Sequence, residues 1–156
     1  MDITYSKDGS FKIKTKITNV SIDSSGAISF SESEKTITGA GEYEIKGVSV
    51  LGFQIENKSI FVIEADKLRI GFVVGMEKDL PSDLIDDLGS VDILITDKSS
   101  VVSGIEPYFV IPFKPSDSEI FSKETGYQLE SLPKFSVKKE EILEDQNTKI
   151  ILLEAK

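Results

Sequence analysis

At 156 residues and 39% hydrophobic content, the chain can bury one core and is short for two, so a single domain over residues 1–156 is expected. Its formal charge of −9 repels phosphate backbones and anionic lipid surfaces, and no block of Lys and Arg interleaved with aromatics offsets it, which argues against nucleic-acid and membrane partners. The chain has no His and no Cys, which excludes imidazole acid–base chemistry, cysteine nucleophiles, disulfides, and imidazole or thiolate metal sites. No run reaches the roughly 18 to 20 apolar residues that span a bilayer, and Met1 to Ser6 lacks the basic and apolar regions of a signal peptide. A cytoplasmic address follows as the expectation.

The first half alternates apolar and polar residues at period two, the signature of half-buried strands. Phe11-Lys12-Ile13-Lys14, Val20-Ser21-Ile22, Ala27-Ile28-Ser29-Phe30 and Thr36-Ile37-Thr38 are such strands, with Ser24-Ser25-Gly26 and Gly39-Ala40-Gly41 as turns. They predict an antiparallel meander. Residues 43 to 55 read as one extended run that Gly47 and Gly52 interrupt with bends or bulges. After the turn at Glu56-Asn57-Lys58-Ser59, residues 59–64 and 68–74 are almost continuously apolar, as in strands buried on both faces.

Helix is scarce. Ser82 to Leu88 is predicted helical, with Ser82 as cap, Asp83 at the positive end and Gly89 as terminator; Asp117 to Thr125 is a second helix ending at Gly126. Further strands are expected at Asp92–Thr96, Tyr108–Pro112, Lys134–Lys138 and Lys149–Glu154.

The order of these segments resembles small bacterial metallo-β-lactamase-fold hydrolases, the group that includes lactonase-like zinc or manganese enzymes. Residues 39–48, Gly-Ala-Gly-Glu-Tyr-Glu-Ile-Lys-Gly-Val, are similar to that family's G-P-G-E-Y-E-I-x-G-V segment. Leu88-Gly89-Ser90-Val91-Asp92-Ile93-Leu94-Ile95 resembles its L-G-x-V-D-V-L-L, and Glu106 to Pro112 its x-P-K-I-V-I-P strand. Residues 133–139 and 150–154 resemble its closing strand pair. The resemblance implies a β-rich α+β fold, a metallo-β-lactamase-like two-sheet β-sandwich. Its helical cover is expected to be reduced, because residues 98–104 are too short for the helix that usually precedes the x-P-K-I-V-I-P strand.

The family's metal ligands are a H-x-H-x-D-H loop and further His and Asp residues at strand ends, where two cations orient and deprotonate water. The loop's expected place, between Asp23 and Gly39, holds only polar residues and short strands. Where the family has H-L-G-D this chain has Phe72-Val73-Val74-Gly75, and where it has I-P-M-H the chain has Ile111-Pro112-Phe113-Lys114. The resemblance therefore implies a metal-free, cofactor-free pseudoenzyme with a remnant pocket at Asp23, Phe72, Asp97, Phe113 and Lys114.

Several groups retain chemical potential. Asp23 and Asp97 follow strands and are either a general acid–base pair or turn formers. Asp83, Asp86 and Asp87 share a helix face and are either a hard-cation site or a solvated acidic surface. Glu42 and Tyr43 either contact a ligand or pack a turn. Phe72, Phe113 and Tyr108 either floor a pocket or fill the core. Sheet surface stripped of helices favours burial against another subunit, so the expected function is a binding or assembly module that self-associates or takes a protein partner. The competing readings are a metal-independent carboxylate hydrolase and a structural subunit of an intact paralogue.

Overall fold

The computed structural model describes residues 1–156. Two sheets face each other. The first has strand order β13-β1-β2-β3-β4-β5, formed by β1 (Asp2–Tyr5), β2 (Phe11–Lys14), β3 (Asn19–Ile22), β4 (Ile28–Phe30), β5 (Thr36–Ile37) and β13 (Phe135–Ser136). The second comprises β6 (Gly41–Ile45), β7 (Val48–Ile55), β8 (Lys58–Ala65), β9 (Leu68–Val73), β10 (Ile93–Thr96), β11 (Phe109–Pro112), β12 (Gln128–Leu132) and β14 (Lys149–Leu153), in the order β12-β14-β11-β10-β9-β8-β7-β6.

Periodicity explains the layering. Phe11, Ile13, Val20, Ile22 and Ile28 alternate with exposed or half-buried polar residues and point at Val50, Ile63, Ile70, Phe72, Ile93 and Ile95 of the second sheet, making the main core. The central strands β8 to β10 carry apolar residues on both faces because their far face is covered too. Ile60, Val62, Val73, Leu94 and Val110 there pack beneath α1 (Ser82–Leu88), α2 (Val102–Ile105), α3 (Ser118–Thr125) and the loops that carry them. Strand β9 is antiparallel to β8 and parallel to β10, and β10 is parallel to β11. The helix-bearing connections leave and re-enter this parallel set, so the C-terminal ends of β9, β10 and β11 lie along one edge.

The structure corrects several expectations. Residues 43–55 are two strands: Lys46 (φ 50°) and Gly47 (φ 79°) form a two-residue hairpin turn with both positions left-handed, which joins β6 to β7. Gly52 makes no bulge and pairs regularly with Gly41 and Phe61. A Cβ there would stand 2.9 Å from the Gly39 carbonyl oxygen and 3.0 Å from Ala40 Cα, so close backbone approach is what demands glycine. Ser82 is the first helical residue and caps nothing; the Pro81 carbonyl accepts from the Leu84 and Ile85 N–H groups instead. Residues 99–105 hold a short 3-10 turn followed by α2 where no helix was expected. Strands β1 and β12 were not anticipated, and the strand at 134–138 shrinks to β13. Helical cover is indeed slight, with helices of seven, four and eight residues.

Candidate functional site

The edge at which β9, β10 and β11 end carries a cleft of about 520 Å³. Phe61, Phe72, Val74 and Phe113 floor it, and its rim comes from two hairpin turns, residues 24–27 and 57–59, with Thr38 and Gly75 between them. Phe72 lies opposite Phe61 across the β8–β9 ladder, so both rings issue from one face. Phe113 follows β11 directly and meets Phe72 edge-on, centroids 5.9 Å apart at 78°; its other side contacts Phe11 at 6.0 Å. Phe72 is buried while Phe113 is half-buried. The two residues thus serve core and floor together.

The other expected site residues divide. Asp97 follows β10 and stands beside the cleft, where its Oδ2 accepts from the Gly75 N–H at 3.1 Å. Asp23 is spent on its own turn: Oδ1 accepts from the Ser25 hydroxyl at 2.6 Å and from the Ser25 and Ala27 N–H groups at 2.9 and 3.0 Å. The Ser25 hydroxyl holds this carboxyl below the ordinary aspartate range; partial burial opposes it, and the Ala27, Ser25 and Gly26 N–H groups add to the lowering. A carboxyl kept ionised by turn donors is a poor general acid. Neither aspartate lines the cleft, and Lys114 is exposed just beyond Phe113.

Tyr108 does not join the aromatic floor. It sits at the start of β11, the end opposite Phe113, and lines a separate hollow with Asp92, Tyr127 and Thr148. Tyr43 packs its turn, donating its hydroxyl to the Gly39 and Ala40 carbonyls at 3.1 Å each, and Glu42 is exposed on edge strand β6. Asp83, Asp86 and Asp87 are exposed on α1, and no group of three or more His, Cys, Asp or Glu side chains is placed to hold a metal ion.

Phe61 and Lys58 are among the cleft residues that the sequence does not single out. Phe61 was hidden in a continuous apolar run, where no alternation marks which face a residue takes. Lys58 was hidden in a turn, although its place at the start of β8 opposite Ile55 follows from the hairpin register.

With this geometry in place, comparison with known proteins is informative about the scaffold. No protein-family profile and no curated protein matches the sequence. A crystal structure from Thermotoga maritima, assigned as a Zn-dependent hydrolase of the metallo-β-lactamase superfamily, superposes with a TM-score of 0.70, covering 98% of each chain at 13% identity. The fold is metallo-β-lactamase-like. At that identity the likeness concerns architecture, and the site must be read from this chain's own residues. No helix is long and apolar enough to cross a membrane.

Proposed function

We propose that this chain is a non-catalytic, metal-free member of the metallo-β-lactamase-fold hydrolases that works as a binding module through the strand-end cleft, and that it self-associates. One observation carries the reading. The cleft is lined by phenyl rings, hydroxyls, one amide and one ammonium, with no carboxylate, imidazole or thiolate among them. Zinc sites need nitrogen, sulfur or carboxylate donors, commonly four, and an ammonium at the rim repels a cation. The donor set therefore does not fit the metal that the neighbour's assignment names. What the lining suits is a partly apolar ligand: a cleft of this size falls within the roughly 300–1,000 Å³ typical of small-molecule sites.

Elemental analysis of protein purified without chelator tests this directly. The expected result is no stoichiometric metal, and one equivalent or more of zinc, manganese or iron would overturn the reading. The carboxylate-hydrolase alternative needs two carboxylates facing a common substrate, whereas Asp23 is held by its turn and Asp97 by Gly75. Should esterase, lactonase or phosphodiesterase activity be found, Asp97→Asn must abolish it for that alternative to stand.

Self-association rests on β7. Leu51, Phe53 and Ile55 alternate along it on the face away from the first sheet and stay partly exposed. A second copy burying this row removes apolar surface from water at about 25 cal/mol per Å². Light scattering is expected to report more than one chain per particle and Phe53→Asp to reduce it. A strictly monomeric wild type removes the assembly half of the proposal.

A further inference from the structure

The polar groups around the cleft differ in whether the chain already uses them. Ser25 Oγ donates to Asp23 and Ser59 Oγ to the Gln54 side chain. Ser24, Thr38, Asn57 and Lys58 make no side-chain hydrogen bond or ion pair within the chain, although all four line the cleft. Lys58 is exposed, and it is the one charged side chain among the residues that line this cleft. Glu56 takes a left-handed conformation (φ 53°) to close the β7–β8 turn, and the Gln54 amide donates to the Glu56 carbonyl at 2.9 Å while accepting from Ser59. This braced hairpin lays the Lys58 stem along Gly75. A Cβ at Gly75 would stand 3.6 Å from Lys58 Cε and 3.8 Å from Nζ, ordinary contact distances that put the stem alongside this backbone at the rim.

A single ammonium above a floor of Phe61, Phe72, Val74 and Phe113 is complementary to a ligand with one negative charge and an apolar body. The charge count limits the ligand further. One local cation offsets one anionic group, while every additional charge meets the repulsive field of a chain at −9. Neutral ligands would leave Lys58 unused, and polyanions would be repelled.

We infer that the strand-end cleft binds a small alkyl or aryl carboxylate, with the Lys58 ammonium as counter-ion, Ser24, Thr38 and Asn57 as hydrogen-bonding partners and the phenyl rings against its apolar body. The inference rests on the reading of the cleft as a metal-free binding site.

Calorimetric titration of the full chain with octanoate and with its neutral analogue octanamide tests it. Wild type is expected to prefer octanoate by about tenfold, the worth of one charge-assisted hydrogen bond. Lys58→Met should bring octanoate down to the affinity of octanamide, and Thr38→Trp, at the exposed rim, should weaken both by filling the mouth. Circular dichroism of both variants should match wild type. Equal affinity for the two probes, undiminished octanoate binding by Lys58→Met, or no binding of either probe at millimolar concentration each overturns the inference. Metal content of the same sample keeps the underlying reading separate. Stoichiometric metal would defeat the metal-free reading even if the Lys58-dependent preference held, and metal-free protein without the preference would defeat the ligand class alone.

Discussion

The parallel strands β9, β10 and β11 have two ends, and the chain treats charge oppositely at each. At the starting end Asp92 is 4% exposed and fully engaged: Oδ2 accepts from the Arg69 N–H at 2.8 Å, and Oδ1 receives the Lys139 ammonium at 2.8 Å. Its backbone joins in, the N–H donating to the Arg69 carbonyl and the carbonyl accepting from the Tyr108 and Phe109 N–H groups. Arg69 extends the network by donating Nη2 to the Leu88 carbonyl, which ties the end of α1 down. At the finishing end, the cleft's only charged lining residue, Lys58, has no partner in the chain, and Asp97 bonds a single N–H group. Buried polar groups must be satisfied internally, whereas groups at a concave surface are available to a ligand. The first end is therefore committed to folding, whereas the second leaves its groups uncommitted, as the proposed binding role requires.

Breaking the starting end should cost most. Asp92→Ala leaves the Arg69 N–H without its acceptor and Lys139 without its partner, and is expected to destabilise the protein by about 3 kcal/mol, read as a lower urea midpoint at unchanged slope. Lys139→Met should cost less, about 1 kcal/mol, because that side chain is 44% exposed and water can approach the carboxylate it leaves behind. At the finishing end, Asp97→Asn keeps an oxygen that accepts from Gly75 and should change stability by less than about 1 kcal/mol. Lys58→Met should change it by under about 0.5 kcal/mol while removing the octanoate preference. If Lys58→Met destabilised the protein as much as Asp92→Ala, the division of labour between the two ends would be wrong.

The sequence carried the fold more fully than the site. Alternation placed β2 to β5, and apolar continuity placed β8 to β10, because burial on one or two faces leaves that pattern directly. Strand β12 escaped because its exposed Gln128, Glu130 and Ser131 lie on a sheet edge, where a solvated strand and a loop have the same composition. Residues 46–47 were misread because a left-handed lysine is rare, so the glycine alone looked like a kink. Phe72, Asp97 and Phe113 come together around the cleft because they stand at or just beyond the C-terminal ends of successive parallel strands, which strand order makes legible. Tyr108 was misplaced for the same reason in reverse, since it precedes its strand. The role of Asp92 was invisible: its main partners, Arg69 and Lys139, are distant in sequence and carry no motif.

The smallest expected effect concerns Asp23, the cleft-side carboxylate that bonds its own turn. Its folded-state affinity for a proton is below the unfolded value because the Ser25 hydroxyl stabilises the charged form. At acid pH the unfolded chain therefore binds more protons than the folded one. The stabilisation is present above the unfolded value of about 3.9 and is lost as pH falls through the lower folded value. Asp2 and Asp8, lowered chiefly by hydrogen bonds from Ser136 and Ser10, contribute in the same direction. Asp23→Asn should thus flatten the fall in melting temperature between pH 5 and pH 2 without removing it. The exposed carboxylate limits the difference to under about 0.5 kcal/mol. An Asp23→Asn variant whose acid slope equals that of wild type would show that the turn is held by its backbone bonds alone. The carboxylate would then be free to act elsewhere along the cleft, narrowing the contrast between the two ends.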